Sequence, residues 1–510
     1  MNGVRTRGRR RAPRVLLVTP EITYLPEGMG NMANHLKAKA GGLADVSASL
    51  VAALFDLGVD VHVALPHYRR MFHVHVEALI NEELRVYKNK LPDQRVHLAE
   101  DRIFYYRDEV YSAYGNENPA IALAFQREVV NNIMVRVQPD LVHCNDWMTG
   151  LVPAAARRMN IPCLFTVHNI HTYEMTLERI EASGMDAAEF WRHLYYTTQP
   201  GSYEQTRSHI PVDLLASGIF AAHYVNTVSA TFLKEIADGQ HAFVPDQIRR
   251  EIAHKHEAGC AAGILNSPDV SYRPSTDPAL ENRYDELSHA EAKRQNKVAL
   301  QGRLGLTLNP DAPLFFWPSR LDPIQKGTAL LAHALYELVA RYDADDLQMV
   351  FVADGLFQKP FRDIVHFHRL YEKVAVCDFS EPLARQAYAA SDFMLMPSRF
   401  EPCGLPQMIG CIYGSLPIVH DTGGLHDTVS HMDADRHCGN GFVFEVHDSS
   451  GLCWAVDQAM QFHRRPRALR ESNVARVMRE GRARFNHSVT ARQYFDVYES
   501  MLQRPLVNAF

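Results

Sequence analysis

The chain has 510 residues, 46% hydrophobic and 22% charged, with a formal net charge of −6, a length that exceeds one core and fits two domains of roughly 200 to 250 residues. The composition is that of an ordinary globular protein, and the mildly acidic balance gives no footing for a nucleic-acid partner. No apolar stretch reaches the roughly 20 residues that span a bilayer and no apolar segment follows the basic start, so no membrane partner is expected and the cytoplasm is the expected compartment.

Arg5, Arg7, Arg9, Arg10 and Arg11 make residues 1–13 a basic leader, read as disordered and dispensable for chemistry. From Arg14 short β-rich apolar runs alternate with amphipathic stretches: Val15–Val18, then Leu43–Leu57, then Val59–Leu65. After an irregular section, Leu141–Cys144, Leu164–Val167 and Tyr224–Val228 read as buried strands, each followed by a helical pattern. Such alternation predicts a parallel, doubly wound sheet. Ser267-Pro268 and Arg273–Pro278 form a proline-rich stretch suited to a linker, placing a boundary near Asn266.

The pattern restarts at Leu314–Trp317 and continues through strands at Met349–Ala353, Val374–Cys377, Phe393–Met396 and Pro417–Val419, with helices at Gly327–Arg341, Pro382–Ala390 and Gly404–Tyr413. The expected fold is α/β, with two Rossmann-like domains, 14–265 and 266–486, facing a central cleft. Open parallel sheets bind ligands beyond the carboxyl ends of their strands. Residues 487–510 follow, with an amphipathic helix over Val489–Leu502 that carries Tyr494, Val497, Tyr498 and Met501 on one face.

The eight cysteines show no Cys-x-x-Cys pair and read as buried free thiols. Among the 26 histidines the close pairs His73/His75, His254/His256 and His366/His368 lack a third ligand at usable spacing. Neither a metal nor a cofactor is expected.

Several turns carry residues suited to a polar, phosphate-bearing ligand. In Lys39-Ala40-Gly41-Gly42-Leu43-Ala44-Asp45, glycines before a helix let backbone approach a phosphate while Lys39 supplies a mobile cation. Gly28-Met29-Gly30-Asn31-Met32-Ala33 superficially fits a dinucleotide fingerprint but does not directly bridge strand to helix, and is set aside. His143-Cys144-Asn145-Asp146-Trp147 and Thr166-Val167-His168-Asn169 end adjacent strands, so Asp146 and His168 should emerge on one rim. Ser319–Gly327 presents Arg320 and Lys326 in a strand-to-helix loop, where fixed cations favour a departing diphosphate over a bound one. Ser398–Gln407 sets Glu401 ahead of a helix expected to begin at Gly404, whose unpaired N–H groups at Cys403-Gly404-Leu405 suit phosphate oxygens. Thr422-Gly423-Gly424-Leu425 offers a second phosphate-sized turn. Taken singly, each is also what a surface charge, a strand-end cap or an ordinary turn looks like.

Together, from about Arg14 to Leu502, these segments resemble the bacterial glycogen synthases and plant starch synthases, retaining glucosyltransferases of glycosyltransferase family 5 with the GT-B fold. The resemblance implies transfer of glucose from ADP-glucose, or alternatively UDP-glucose, to the non-reducing end of an α-1,4-glucan such as glycogen, and a last helix that returns to the first domain. It implies catalytic roles for His168, Arg320, Lys326 and Glu401. Donor and acceptor contacts are implied for Lys39, Gly41, Gly42, Asp45, Asp146, Asn169, Asn266, Phe379, Cys403, Gly404, Leu405, Thr422, Gly423 and Gly424, with Phe379 against the nucleotide base and Lys39 and Asp45 acting from the opposing domain on closure. The chain departs from the family at Pro406, where Thr is usual, at Ser267-Pro268 in the hinge, and at His487, where Trp is common; Ile409 stands where sucrose-phosphate-building relatives carry a second Glu. The competing readings are a different acceptor and a silent nucleotide-sugar sensor. A sensor would have no need of the whole leaving-group set.

Overall fold

Apolar runs without polar alternation are what a strand covered on both faces requires, and the first of them, Arg14–Val18, is buried from Val15 onward. The computed structural model describes residues 11–30, 36–72, 95–114 and 117–507; the Arg5–Arg10 cluster, the His73/His75 pair and Asn31–Ala33 lie outside them. Contacts divide the chain into two units: Met1–Val228, Leu233–Ile264 and Thr490–Phe510 in the first, and Ser229–Phe232 with Leu265–Val489 in the second.

The first unit carries β1 (Arg14–Val18), β2 (Asp60–Pro66), β3 (Val96–Ala99), β4 (Leu141–Asn145), β5 (Cys163–Val167), a short antiparallel pair β6 (Glu174–Met175) and β7 (Val212–Asp213), then β8 (Tyr224–Thr227) and β9 (Ala261–Gly263). Seven of these strands form one sheet in the order β3-β2-β1-β4-β5-β8-β9, every neighbour parallel. The order reverses between β1 and β4, the place where an open α/β sheet leaves a crevice beyond its carboxyl edge.

Helix His487–Leu502 is anchored in this unit by a buried polar network. His143 on β4 bonds the Tyr498 hydroxyl through Nδ1 at 2.7 Å and Thr166 Oγ1 on β5 through Nε2 at 2.6 Å. Thr166 Oγ1 donates to Asn226 Oδ1 on β8 at 2.6 Å, and Asn226 Nδ2 donates to the Tyr494 hydroxyl at 3.0 Å. Burial pulls His143 down to about 3, so its ring is neutral and one nitrogen donates while the other accepts. The buried seam of the helix is Thr490, Ala491, Tyr494 and Tyr498, whereas Val497 and Met501 are half-buried.

The second unit carries β10 (Leu314–Trp317), β11 (Gln348–Val352), β12 (Val374–Cys377), β13 (Phe393–Met396), β14 (Leu416–His420) and β15 (Phe442–Phe444) in the order β12-β11-β10-β13-β14-β15, all parallel. Its order reverses between β10 and β13. Within the proline-rich stretch Ser267 and Asp277 are buried, as is Asn266 just before it, while Arg273, Thr276 and Pro278 are exposed. Asp277 accepts from Arg385 NH1 at 3.0 Å and from the Tyr413 hydroxyl, a fully buried carboxyl group answered by a cation and a hydroxyl. Lys293 donates to the carbonyls of Ala389, Ser391 and Tyr413 at 3.0, 2.8 and 3.1 Å, a cation set at the carboxyl ends of helices Glu381–Ala390 and Pro406–Tyr413.

Among the described residues no helix is long and apolar enough to cross a membrane. Tyr498→Phe leaves a buried nitrogen of His143 without its partner and is expected to cost about 1–3 kcal/mol, read as faster amide exchange in β4 and β5; unchanged protection would show that the network contributes nothing.

Candidate active site

In the second unit the loops leaving β10 and β13 meet at the reversal of strand order. Gly327, at φ +72, makes the meeting possible, because a Cβ there would lie 1.9 Å from the Pro397 carbonyl oxygen. The loop before it is folded by Asp322, whose Oδ1 accepts from the N–H groups of Ile324 and Gln325 at 2.9 and 2.8 Å. Lys326 is thereby carried to Glu401: Nζ and Oε2 lie 2.6 Å apart, both side chains nearly buried, with Ser398 Oγ donating to the same oxygen at 3.0 Å. An ammonium has three donors, so Lys326 retains capacity for a ligand after meeting Glu401.

Beyond Glu401 the chain does not enter a helix at Gly404 as expected. Gly404 adopts φ +71, a left-handed conformation no helix contains, Leu405 is the cap, and the helix runs Pro406–Tyr413. Proline at the first helical position gives up an N–H that would have no helical partner. The N–H groups of Gly404 and Leu405 have no partner among the described residues, and a left-handed glycine followed by a right-handed residue turns successive N–H groups to one side. Gln407 braces the turn, donating from Nε2 to the carbonyls of Cys403 and Gly404 at 3.1 and 2.8 Å. Cys403 is buried, its thiol pushed up to about 12 by that burial and set against the Asn266 backbone N–H. Gly424, in the short helix Gly423–Thr428 after the buried Thr422, spends its N–H on the Glu401 carbonyl at 2.9 Å. This second turn supports the Glu401 loop.

Arg320 is exposed and forms no ion pair among the described residues. Its loop is tied to the end of β11 by Leu321 N–H donating to the Asp354 carbonyl at 2.9 Å, and Asp354 Oδ1 accepts from the Phe379 N–H at 2.9 Å. Phe379 is 57% exposed, a large ring presented to solvent at the carboxyl edge of the sheet.

In the first unit, the loops after β1, β4 and β5 are held by two buried carboxylates. Asp146 has φ +55 and ψ −178, a positive-φ conformation outside the left-handed helical region that non-glycine residues rarely adopt and that the surrounding structure must hold in place. Its Oδ1 accepts from the N–H of His168 at 2.7 Å and of Asn169 at 3.4 Å, and its Oδ2 from Asn169 Nδ2 at 2.9 Å. Burial, the largest effect, pushes Asp146 up to about 7 against the opposing pull of these donors. Burial pulls His168 down to about 3, so the ring is neutral. Asn145 Nδ2 donates to the Val18 carbonyl at 3.1 Å, turning Oδ1 to His168 Nε2 at 3.0 Å. Nε2 therefore carries the ring proton and Nδ1 is an acceptor.

The second carboxylate, Glu21, has no counterpart in the sequence reading. Its Oε2 accepts from the N–H groups of Ala40 and Gly41 at 2.7 and 2.9 Å, and its Oε1 from the Tyr111 hydroxyl at 3.4 Å. The N–H of Gly41 is thus already engaged by a carboxylate. What remains for an anion on this turn is Lys39, paired with Asp45 at 2.7 Å and half-exposed, and the start of helix Gly42–Asp56, which has no side-chain cap. Tyr111 feels the charges of both Glu21 and Asp146, so the Lys39 turn and the His168 rim share one neighbourhood. The one signal for Glu21 is an acid placed just past a buried strand, in Thr19-Pro20-Glu21.

Residues 14–250 match the family described as starch synthase catalytic domain, and residues 312–461 match glycosyl transferases group 1. The chain is 33% identical to a glycogen synthase of Moorella thermoacetica, over 96% of this chain and 97% of that one. The catalytic domain of starch synthase IV from Arabidopsis thaliana, solved bound to ADP and acarbose, superposes with a TM-score of 0.76 at 26% identity, covering 97% of this chain and 100% of that one. A sucrose-phosphate synthase from Thermosynechococcus elongatus shares the fold, with a TM-score of 0.57 at 15% identity over 96% and 99% of the two chains.

Because burial raises Asp146 from 3.8 to about 7, the fold favours its protonated form. The stabilisation is full below the unfolded value and is lost as pH rises through the folded one. Asp146→Asn keeps the positive φ and removes the titration, so wild type should lose stability relative to the variant between about pH 4 and 7; parallel urea-unfolding curves across that range would refute the assignment.

Proposed function

The chain belongs to the family of bacterial glycogen synthases and plant starch synthases, and we propose that it lengthens α-1,4-glucans by transferring glucose from ADP-glucose with retention of configuration. The observation that carries the reading is the Lys326–Glu401 pair beside the unpaired N–H groups of Gly404 and Leu405 at the reversal of strand order. A buried cation with donors to spare and a backbone nest suit a diphosphate, while a carboxylate with lone pairs to spare suits sugar hydroxyls.

The roles follow from chemistry. The bond between the anomeric carbon and the diphosphate oxygen breaks, the electron pair leaving with the diphosphate. Arg320, Lys326 and the Gly404–Leu405 turn meet the charge that grows there, stabilising the transition state more than the bound donor. The acceptor hydroxyl attacks the same face and passes its proton to the departing phosphate oxygen. No carboxylate pair spaced like that of a hydrolase is needed. Glu401 orients Lys326 and accepts from glucose hydroxyls, and neutral His168 offers Nδ1 as a hydroxyl acceptor. The exposed ring of Phe379 stacks on the base, and Lys39, bound to Asp45, adds mobile positive charge. The cysteines are unpaired, Cys144 and Cys163 lying with their sulfurs 3.8 Å apart and unbridged, which supports a reducing, cytoplasmic setting.

The decisive assay is incorporation of labelled glucose into a glycogen primer from ADP-glucose and, separately, from UDP-glucose. ADP-glucose is expected to be the better donor, and equal or better use of UDP-glucose would overturn the donor assignment. Lys326→Ala should lower kcat by about 10²–10³-fold, the scale for losing one preorganised electrostatic contact, and Glu401→Ala should abolish incorporation. Phe379→Ala should raise the donor KM by roughly three- to tenfold with kcat unchanged, the worth of one aromatic stack; an unchanged KM would remove the ring from the base site.

A further inference from the structure

Two histidines outside the motifs read from the sequence close on the backbone that carries Glu401. His420 ends β14, and His447 lies between β15 and the helix Ser449–His463. The ladder between β13 and β14 stops at Met396 opposite Val419. The next two carbonyls of the chain, those of Pro397 and Ser398, therefore lie beyond it, although both residues are still buried. A buried carbonyl needs a donor. His420 Nδ1 lies 2.8 Å from the Ser398 oxygen, and His447 Nε2 lies 2.9 Å from the Pro397 oxygen. A carbonyl oxygen only accepts, so both of these nitrogens carry protons. The two rings stand against each other, their centroids 4.8 Å apart.

The residues held in this way are the ones that shape the ion pair. Ser398 Oγ donates to Glu401 Oε2, the same oxygen that meets Lys326 Nζ. The Pro397 oxygen is the atom for which Gly327, one residue after Lys326, leaves room. The sheet itself does not depend on the imidazoles. β14 and β15 are joined by their own pairing up to His420 and Phe444, and by the Asp421 N–H donating to the Phe444 carbonyl at 2.9 Å. Loss of either ring thus loosens the Glu401 loop more than the strands beneath it, and a misplacement of ~1 Å at a reacting centre is enough to cost on the order of 10²-fold in rate.

We propose that His420 and His447 are positioning residues for glucosyl transfer, acting through the Ser398 and Pro397 carbonyls to hold Glu401 and Lys326 in place. The inference rests on the reading of that pair as the transfer centre. The two bonds come from different ring nitrogens, and an amide side chain can copy each of them. Asparagine sets its nitrogen near the position of Nδ1, and glutamine near that of Nε2.

The test is steady-state glucose transfer by the full chain from ADP-glucose to a glycogen primer, with urea unfolding of each variant alongside. His420→Leu and His447→Leu should each lower kcat by about three- to tenfold, the worth of one neutral hydrogen bond, with little change in donor KM. His420→Asn and His447→Gln should restore most of that loss, and the exchanged pair, His420→Gln and His447→Asn, should not. Placed on Lys326→Ala, His420→Leu should cost much less than it does in wild type, because the group it positions is gone. Exchange of the Arg399 and Gly424 amides, which bond the carbonyls of Gln325 and Glu401, should quicken in the leucine variants and recover in the matched amides. If a leucine variant does not fold, the matched and exchanged amides decide the matter. The proposal is overturned by unchanged kcat in the leucine variants, by a loss that follows the urea midpoint whichever amide is present, or by a full further loss on Lys326→Ala. A wild type that transfers glucose from neither ADP-glucose nor UDP-glucose overturns the reading of the function, and the positioning role with it; an active wild type with indifferent variants overturns the positioning role alone.

Discussion

A lysine and a glutamate sit inside a protein only where their charges are answered, since stranding one of them costs several kcal/mol. Lys326 and Glu401 meet that condition at 2.6 Å, and much of the second unit's carboxyl edge is arranged so that they can. Gly327 lets the loop after β10 touch the end of β13, Asp322 folds that loop, Ser398 fills a further lone pair of the carboxylate, and Gly424 pins the backbone of Glu401. The pair is also the part of this edge whose charges are only partly spent. A diphosphate arriving there would find a cation already desolvated and held in place, so little ordering would remain to be done at the moment of reaction.

The first unit solves a similar problem with acceptors in place of an ion pair. Asp146 and Glu21 are buried carboxylates whose oxygens take backbone N–H groups from neighbouring loops. Each fixes a turn carrying a side chain of interest, His168 in one case and Lys39 in the other. Asn145 adds a finer control by turning its amide oxygen to His168, which determines which ring nitrogen is free to accept. In both units the residues that would touch a ligand stand on loops, and buried polar groups behind them supply the rigidity that loops lack.

Both parallel sheets were legible in the sequence because their central strands are continuous apolar runs, as at Val15–Val18 and Phe393–Met396. The strands that escaped are short and weakly patterned: β9 is Ala-Ala-Gly, and β3 and β15 are four and three residues long. The helix after Glu401 is expected two residues early because a glycine reads as a permissive start, whereas only its φ of +71 shows that it lies outside the helix. Adjacent strand ends brought Asp146 and His168 onto one rim in the reading. Their actual relation, a carboxylate holding the histidine's backbone, depends on a positive φ that no spacing reveals. Partnerships between separate loops were invisible, Lys326 with Glu401 and Glu21 with Ala40 among them, because a single sequence carries no record of which residues meet.

The network that receives Tyr494 and Tyr498 has a consequence in time. His143 and Asn226, joined through Thr166 on the strand between them, find their last partners on a helix encoded after the entire second unit. At roughly 5–20 residues per second of synthesis, the sheet waits on the order of tens of seconds with polar groups in its interior unanswered. During that interval His143 and Asn226 lack the hydroxyls that complete their hydrogen bonding in the finished fold. Vectorial synthesis thus makes the distal end of the chain the closing step of the fold that its beginning started.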